Sequence, residues 1–117
     1  MLAYETAADY LGMANGGMRE NLMIFVEKSI GIPDVREFVV SSFADIKTMH
    51  KKGMICTTPE QTIINLLELD ENEQIIYEVL ANYYFNHDRS FGLLKIPHDL
   101  EKRFHYYADY AVHYYEE

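Results

Sequence analysis

The chain has 117 residues, 49% of them apolar, with 19 acids against 10 bases and a net charge of -9 with histidines neutral. That length suits one domain with a sizeable core, and no apolar run reaches the roughly 18 residues of a membrane span. A negative field of this size disfavours phosphate backbones, while a single cysteine, Cys56, and an N-terminus without a basic stretch and a long apolar run predict a cytoplasmic protein lacking a signal peptide.

Taken in order, residues 2–11 read as a short helix, with Leu2, Ala7, Ala8 and Leu11 near one face. Gly12 is a stop, and Asn15-Gly16-Gly17 is a turn. Residues 22–28 are rich in strand formers and nearly all apolar, which predicts a strand covered on both faces. Ile32-Pro33-Asp34 breaks the chain, and residues 37–43 form a second strand. Residues 44–52 are polar and basic, a turn or a single helical turn ended by Gly53. Residues 54–57 make a third strand. Three short strands with short connections predict a small, mostly antiparallel sheet.

The stretch 54–69 organises the rest. Thr58 is placed to cap a helix, Pro59 suits the first helical position, and Gln61 completes a capping box. Ile63, Ile64, Leu66 and Leu67 give that helix a wide apolar face. Asp70 is the expected cap of the next helix, with Glu73 in its capping box, and the helix runs to about Asn86. Its inward stripe is Ile75 or Ile76, Val79, Leu80, Tyr83 and Tyr84. His87-Asp88-Arg89 is a break, and residues 90–95 form at most one short turn or helix. Pro97 opens a last helix over residues 98–115, where Leu100, Phe104, Tyr107, Ala111 and Tyr114 recur at core spacing. The predicted fold is α+β in a single domain over residues 1–117: one helix, about three strands, then about three helices packed on the sheet.

Residue chemistry offers little for catalysis. The five histidines, His50, His87, His98, His105 and His113, form no tight pair, and His-Glu-x-x-His is absent, so no metal is expected. Cys56 lies in an apolar strand and reads as core. No Gly-x-Ser-x-Gly, P-loop or dinucleotide fingerprint occurs, so neither cofactor nor reaction is expected. Charge is uneven. Residues 1–59 hold seven acids and six bases (net -1), and residues 60–117 hold twelve and four (net -8). The acidic half is either a solvated surface or a docking face for a basic partner. Lys47, His50, Lys51 and Lys52 read as a solvated basic turn. Among ten tyrosines, Tyr106 and Tyr110 fall with His113 off the main stripe of the last helix, with Glu101 and Asp109 as rim acids. That face either meets a protein partner or packs under the preceding helix.

Three stretches carry a resemblance. Residues 4–13 (Tyr4-Glu5-Thr6-Ala7-Ala8-Asp9-Tyr10-Leu11-Gly12-Met13), residues 54–67 with Thr58-Pro59-Glu60-Gln61-Thr62 and Asn65, and the closing helical segments 72–85 and 93–115 follow one order. In that order the chain resembles the C-terminal domain of AbiEi-type antitoxins of bacterial type IV toxin–antitoxin systems and their orphan relatives. The resemblance implies a non-enzymatic regulator whose counterpart is a nucleotidyltransferase-like toxin or another basic protein. It also implies a bacterial mobile element or abortive-infection locus. Gln61 stands where the family usually has arginine, and Asn65 where it usually has aspartate. The family's N-terminal winged helix has no counterpart in this sequence, so no operator binding by the chain alone is expected. The alternative reading is a free-standing acidic module, such as a phage-borne inhibitor that covers a basic site on a host enzyme.

Overall fold

The computed structural model describes residues 1–15 and 22–113. Gly16, Gly17, Tyr114 and Tyr115 lie outside the described residues, and with them part of the expected turn and the end of the last stripe. The fold is α+β, with the element order helix, four strands, then three helices among the described residues. Strands β1 (Leu22–Val26) and β2 (Val35–Val39) pair in parallel, and β3 (Thr48–Lys51) and β4 (Met54–Thr57) pair antiparallel. The expectation of about three mostly antiparallel strands is therefore corrected to two two-stranded ladders of opposite sense.

The N-terminal tripeptide joins these ladders. Leu2 forms an antiparallel bridge with Ile24 of β1 and a parallel bridge with Cys56 of β4. On one side, Ala3 N–H donates to Met23 O (3.0 Å) and Phe25 N–H to Met1 O (2.9 Å). On the other, Leu2 N–H donates to Ile55 O (3.0 Å) and Thr57 N–H to Leu2 O (3.2 Å). Leu2 is thus a strand residue, and helix α1 (Tyr4–Tyr10) begins two residues later than its apolar spacing predicts.

Two strand features have local causes. Parallel neighbours normally need a crossover of a dozen or more residues, yet residues 27–34 make the return from β1 to β2. The Glu37 side chain of β2 folds that return inward, accepting from Ser29 Oγ (2.7 Å), Ile30 N–H (3.0 Å) and Gly31 N–H (3.3 Å). The Ile30 N–H and then the Ser29 hydroxyl hold the Glu37 carboxyl below its ordinary value. Strand β3 replaces the expected basic turn. Lys52 and Gly53 both take positive φ, +50° and +81°, which suits the tight two-residue hairpin that joins β3 to β4. β1 is not covered equally on both faces: Met23 and Phe25 are buried, while Leu22, Ile24 and Val26 are half-buried.

Helix α2 (Pro59–Leu69) starts as its sequence dictates: Thr58 Oγ1 accepts from Gln61 N–H at 3.2 Å. Only half of the capping box forms, because Gln61 Oε1 instead accepts the Lys47 N–H at 3.2 Å and ties the helix to the hairpin. Ile63, Leu66 and Leu67 are buried. Asp70 does not cap the next helix. It ends α2 in the left-handed region at φ +49°, a conformation that Asp tolerates. Asn72 caps α3 (Glu73–Asn86) instead, through Ile75 N–H at 3.3 Å. Ile75, Ile76, Val79, Leu80 and Tyr83 are buried, while Tyr84 is only half-buried. The last helical segment begins with a 3₁₀ turn, His98–Leu100, and continues as α4 (Glu101–Ala111). Leu100, Phe104, Tyr107 and Ala111 are buried as their spacing predicts.

Helices α1 and α2 meet the strands, whereas α3 packs mainly on α2 and α4. This corrects the expectation that all three C-terminal helices rest on the sheet. No helix among the described residues is long and apolar enough to cross a membrane.

Candidate protein-contact face

The motif stretch after β4 is occupied with internal bonding. Thr62 is buried and its hydroxyl lies 2.6 Å from Thr57 Oγ1 and 2.8 Å from Thr58 O. Tyr83 of α3 donates to Glu60 Oε2 at 2.9 Å, and burial followed by this bond pushes its phenol up to about 12. Pro59 fills the first helical position. Thr58, Glu60, Gln61 and Thr62 therefore lock hairpin, α2 and α3 together. Burial pushes the Cys56 thiol up, which opposes formation of a nucleophilic thiolate. Among the described residues, no group of three or more His, Cys, Asp and Glu side chains is arranged to hold a metal ion.

Asn65 differs from its neighbours in the motif. It is buried, its Nδ2 donates to Glu68 Oε1 at 3.1 Å, and its Oδ1 has no hydrogen-bond partner among the described residues. Flipping the amide would set its oxygen against the Glu68 carboxylate, so the assigned orientation is the better one. A buried acceptor without a partner is costly, and an apolar side chain of similar shape removes that cost. Asn65→Leu should therefore raise the unfolding free energy by about 1 kcal/mol. A urea midpoint below that of wild type would show that the amide is worth more than its orphaned oxygen costs.

The exposed aromatic face lies on α4 and α3. Burial of Phe104, Tyr107, Ala108 and Ala111 turns Tyr106 and Tyr110 outward, 58% and 52% exposed. Tyr77 of α3 stands beside them. Its ring centroid is 4.6 Å from that of Tyr110 and 5.2 Å from that of Tyr107. Burial first, then the neighbouring Tyr106 and Glu73, pushes the Tyr77 phenol up. Tyr107 itself is core. Its hydroxyl donates to Asp70, which Arg103 also approaches at 3.5 Å. Arg103 Nη1 in turn donates to Leu67 O at 2.7 Å, satisfying a carbonyl at the end of α2. An open groove of about 430 Å³ runs between Asp70, Glu73, Asp99, Lys102 and Tyr106.

The five candidate contact residues are not all brought together. Tyr106, Asp109 and Tyr110 are exposed on α4, and His113 is exposed just beyond its end. Glu101 points elsewhere: at 100° per residue it lies roughly 140° around the helix from Tyr106, and it pairs with His98 at 3.5 Å. Tyr77 was missed because its position on α3 alone gives no sign that its ring meets Tyr110. With the geometry established, comparison with protein-family models, characterised proteins and solved structures finds no match.

Proposed function

We propose that this chain is a non-enzymatic regulator of the antitoxin kind, acting by contact with a basic protein through the Tyr77–Tyr106–Tyr110 face. The supporting observation is the pair of tyrosines more than half exposed on successive turns of α4, braced by Tyr77. Rigid rings of this kind give area with little entropy loss on binding. They stand in the half of the chain with twelve acids and four bases, so a basic surface is the complementary partner. A nucleotidyltransferase-like toxin is the partner that the AbiEi resemblance suggests. The antitoxin reading stands on that resemblance, and the contact face on the tyrosines.

The test compares proteins captured from the native host by wild type and by three α4 variants, then measures the kinetics of the captured partner. Tyr110→Ala should speed release by about thirtyfold, the equivalent of about 2 kcal/mol. Asp109→Lys should slow association and flatten its salt dependence. Glu101→Lys, on the other flank, should change association less. Wild-type kinetics for both Tyr110→Ala and Asp109→Lys would remove this face from the contact. A partner other than a toxin would keep the contact and discard the antitoxin role.

A further inference from the structure

We propose that the groove beside Tyr106 seats an arginine side chain of the partner, its guanidinium stacked on the tyrosine ring and paired with Glu73 and Asp99. The inference rests on the protein-contact reading above and adds the chemistry of the contact.

Charge is the first argument. Of the three carboxylates along the groove, Asp70 is engaged by Tyr107 and Arg103. Glu73 and Asp99 have no ion-pair partner among the described residues. Of the two cations, Arg103 is committed to Leu67 O and Asp70. Lys102 therefore faces two carboxylates, and the groove remains short of positive charge. The second argument is the exposed π-face. Tyr106 borders the same groove with more than half its surface in water, so a stacked cation would cover ring area that the monomer leaves wet.

The fold supplies its own example of this recognition. Arg36 of β2 donates to both oxygens of Glu71, at 2.6 and 2.5 Å, while its guanidinium carbon sits 4.8 Å over the Phe38 ring. Arg89 likewise lies 5.4 Å over Phe85. A planar fork can stack on a ring and present two N–H groups to a carboxylate at once, which an ammonium cannot do. The groove should therefore prefer arginine to lysine rather than merely favour positive charge.

The test titrates the folded chain with hexa-arginine and hexa-lysine peptides by calorimetry at fixed ionic strength. Wild type should bind hexa-arginine about three- to tenfold more tightly than hexa-lysine. The double variant Glu73→Gln/Asp99→Asn should weaken hexa-arginine binding about tenfold or more. Tyr106→Leu should erase the preference for arginine while leaving hexa-lysine binding unchanged. Glu101→Gln, on the far flank, should do neither. All of these side chains are exposed, and circular dichroism checks that each variant keeps its fold. Equal affinity for the two peptides, or an equal loss from Glu101→Gln, would reduce the effect to diffuse attraction and overturn the proposal. The two readings fail separately. Partner capture that depends on Tyr110 without an arginine preference keeps the contact and removes the seat. A preference for arginine with Tyr110-independent capture keeps the seat and removes the wider face.

Discussion

Leu67→Ala should lower the unfolding free energy by about 2–5 kcal/mol. Leu67 is fully excluded from water and belongs to the largest buried cluster, with Ile63, Leu66, Ile76, Val79 and Leu80. The lower figure applies where surroundings collapse into the space left behind, and the upper where they are held. Here the backbone is held, since Arg103 clamps the Leu67 carbonyl at 2.7 Å and Asp70 ends the helix three residues later. Urea unfolding measures the change, and Thr58→Ala is the scale for comparison. That variant loses only a helix cap and should cost about 1 kcal/mol. A Leu67→Ala protein that unfolds at the wild-type midpoint would mean that α2 does not carry the core.

Leu2→Pro should cost about 3–6 kcal/mol, combining lost leucine burial with a lost ladder bond. Leu2 is buried beside Ala7 and Cys56, and its N–H donates to Ile55 O. Proline has no N–H to give and is unsuited to a strand paired on both sides. Leu2→Ala, which keeps the N–H, separates the two contributions. If both variants unfold at the same urea concentration, the backbone bond contributes nothing measurable. If Leu2→Pro matches wild type, the tripeptide does not join the ladders.

The parts legible in the sequence are those governed by neighbours a few residues apart. Thr58-Pro59 announces the start of α2, and spacings of three and four place Ile63, Leu67, Phe104 and Tyr107 inside. Residues whose role depends on distant partners were misread. Met1–Ala3 is too short to show any period, and its partners are β1 and β4. Asp70 looks like a cap, but its carboxylate is taken by Tyr107 and Arg103, leaving Asn72 to cap α3. In β3, Thr-Met-His-Lys has the composition of a loop and becomes a strand because Lys52 and Gly53 turn it onto β4. The candidate face was legible only in part. Tyr106 and Tyr110 lie off the main stripe of one helix, but Tyr77 comes from another, and the groove draws residues from 70 to 107.

The central place of Leu2 also sets an order of events during synthesis. Leu2 is made before the strands it joins, and it cannot complete its pairing until Thr57 has been made. At about 5–20 residues per second, the 55-residue interval lasts roughly 3–11 s. The β1–β2 pair can form within that interval, but the edge of β1 that Leu2 covers gains its neighbour without the support of β4. Until β4 emerges, the far side of the tripeptide, where Leu2 later pairs with Ile55 and Thr57, is open to strands of other nascent chains. The two ladders therefore become one unit only after the hairpin has been delivered, and the tripeptide, made before both ladders, is fixed only when the second is complete.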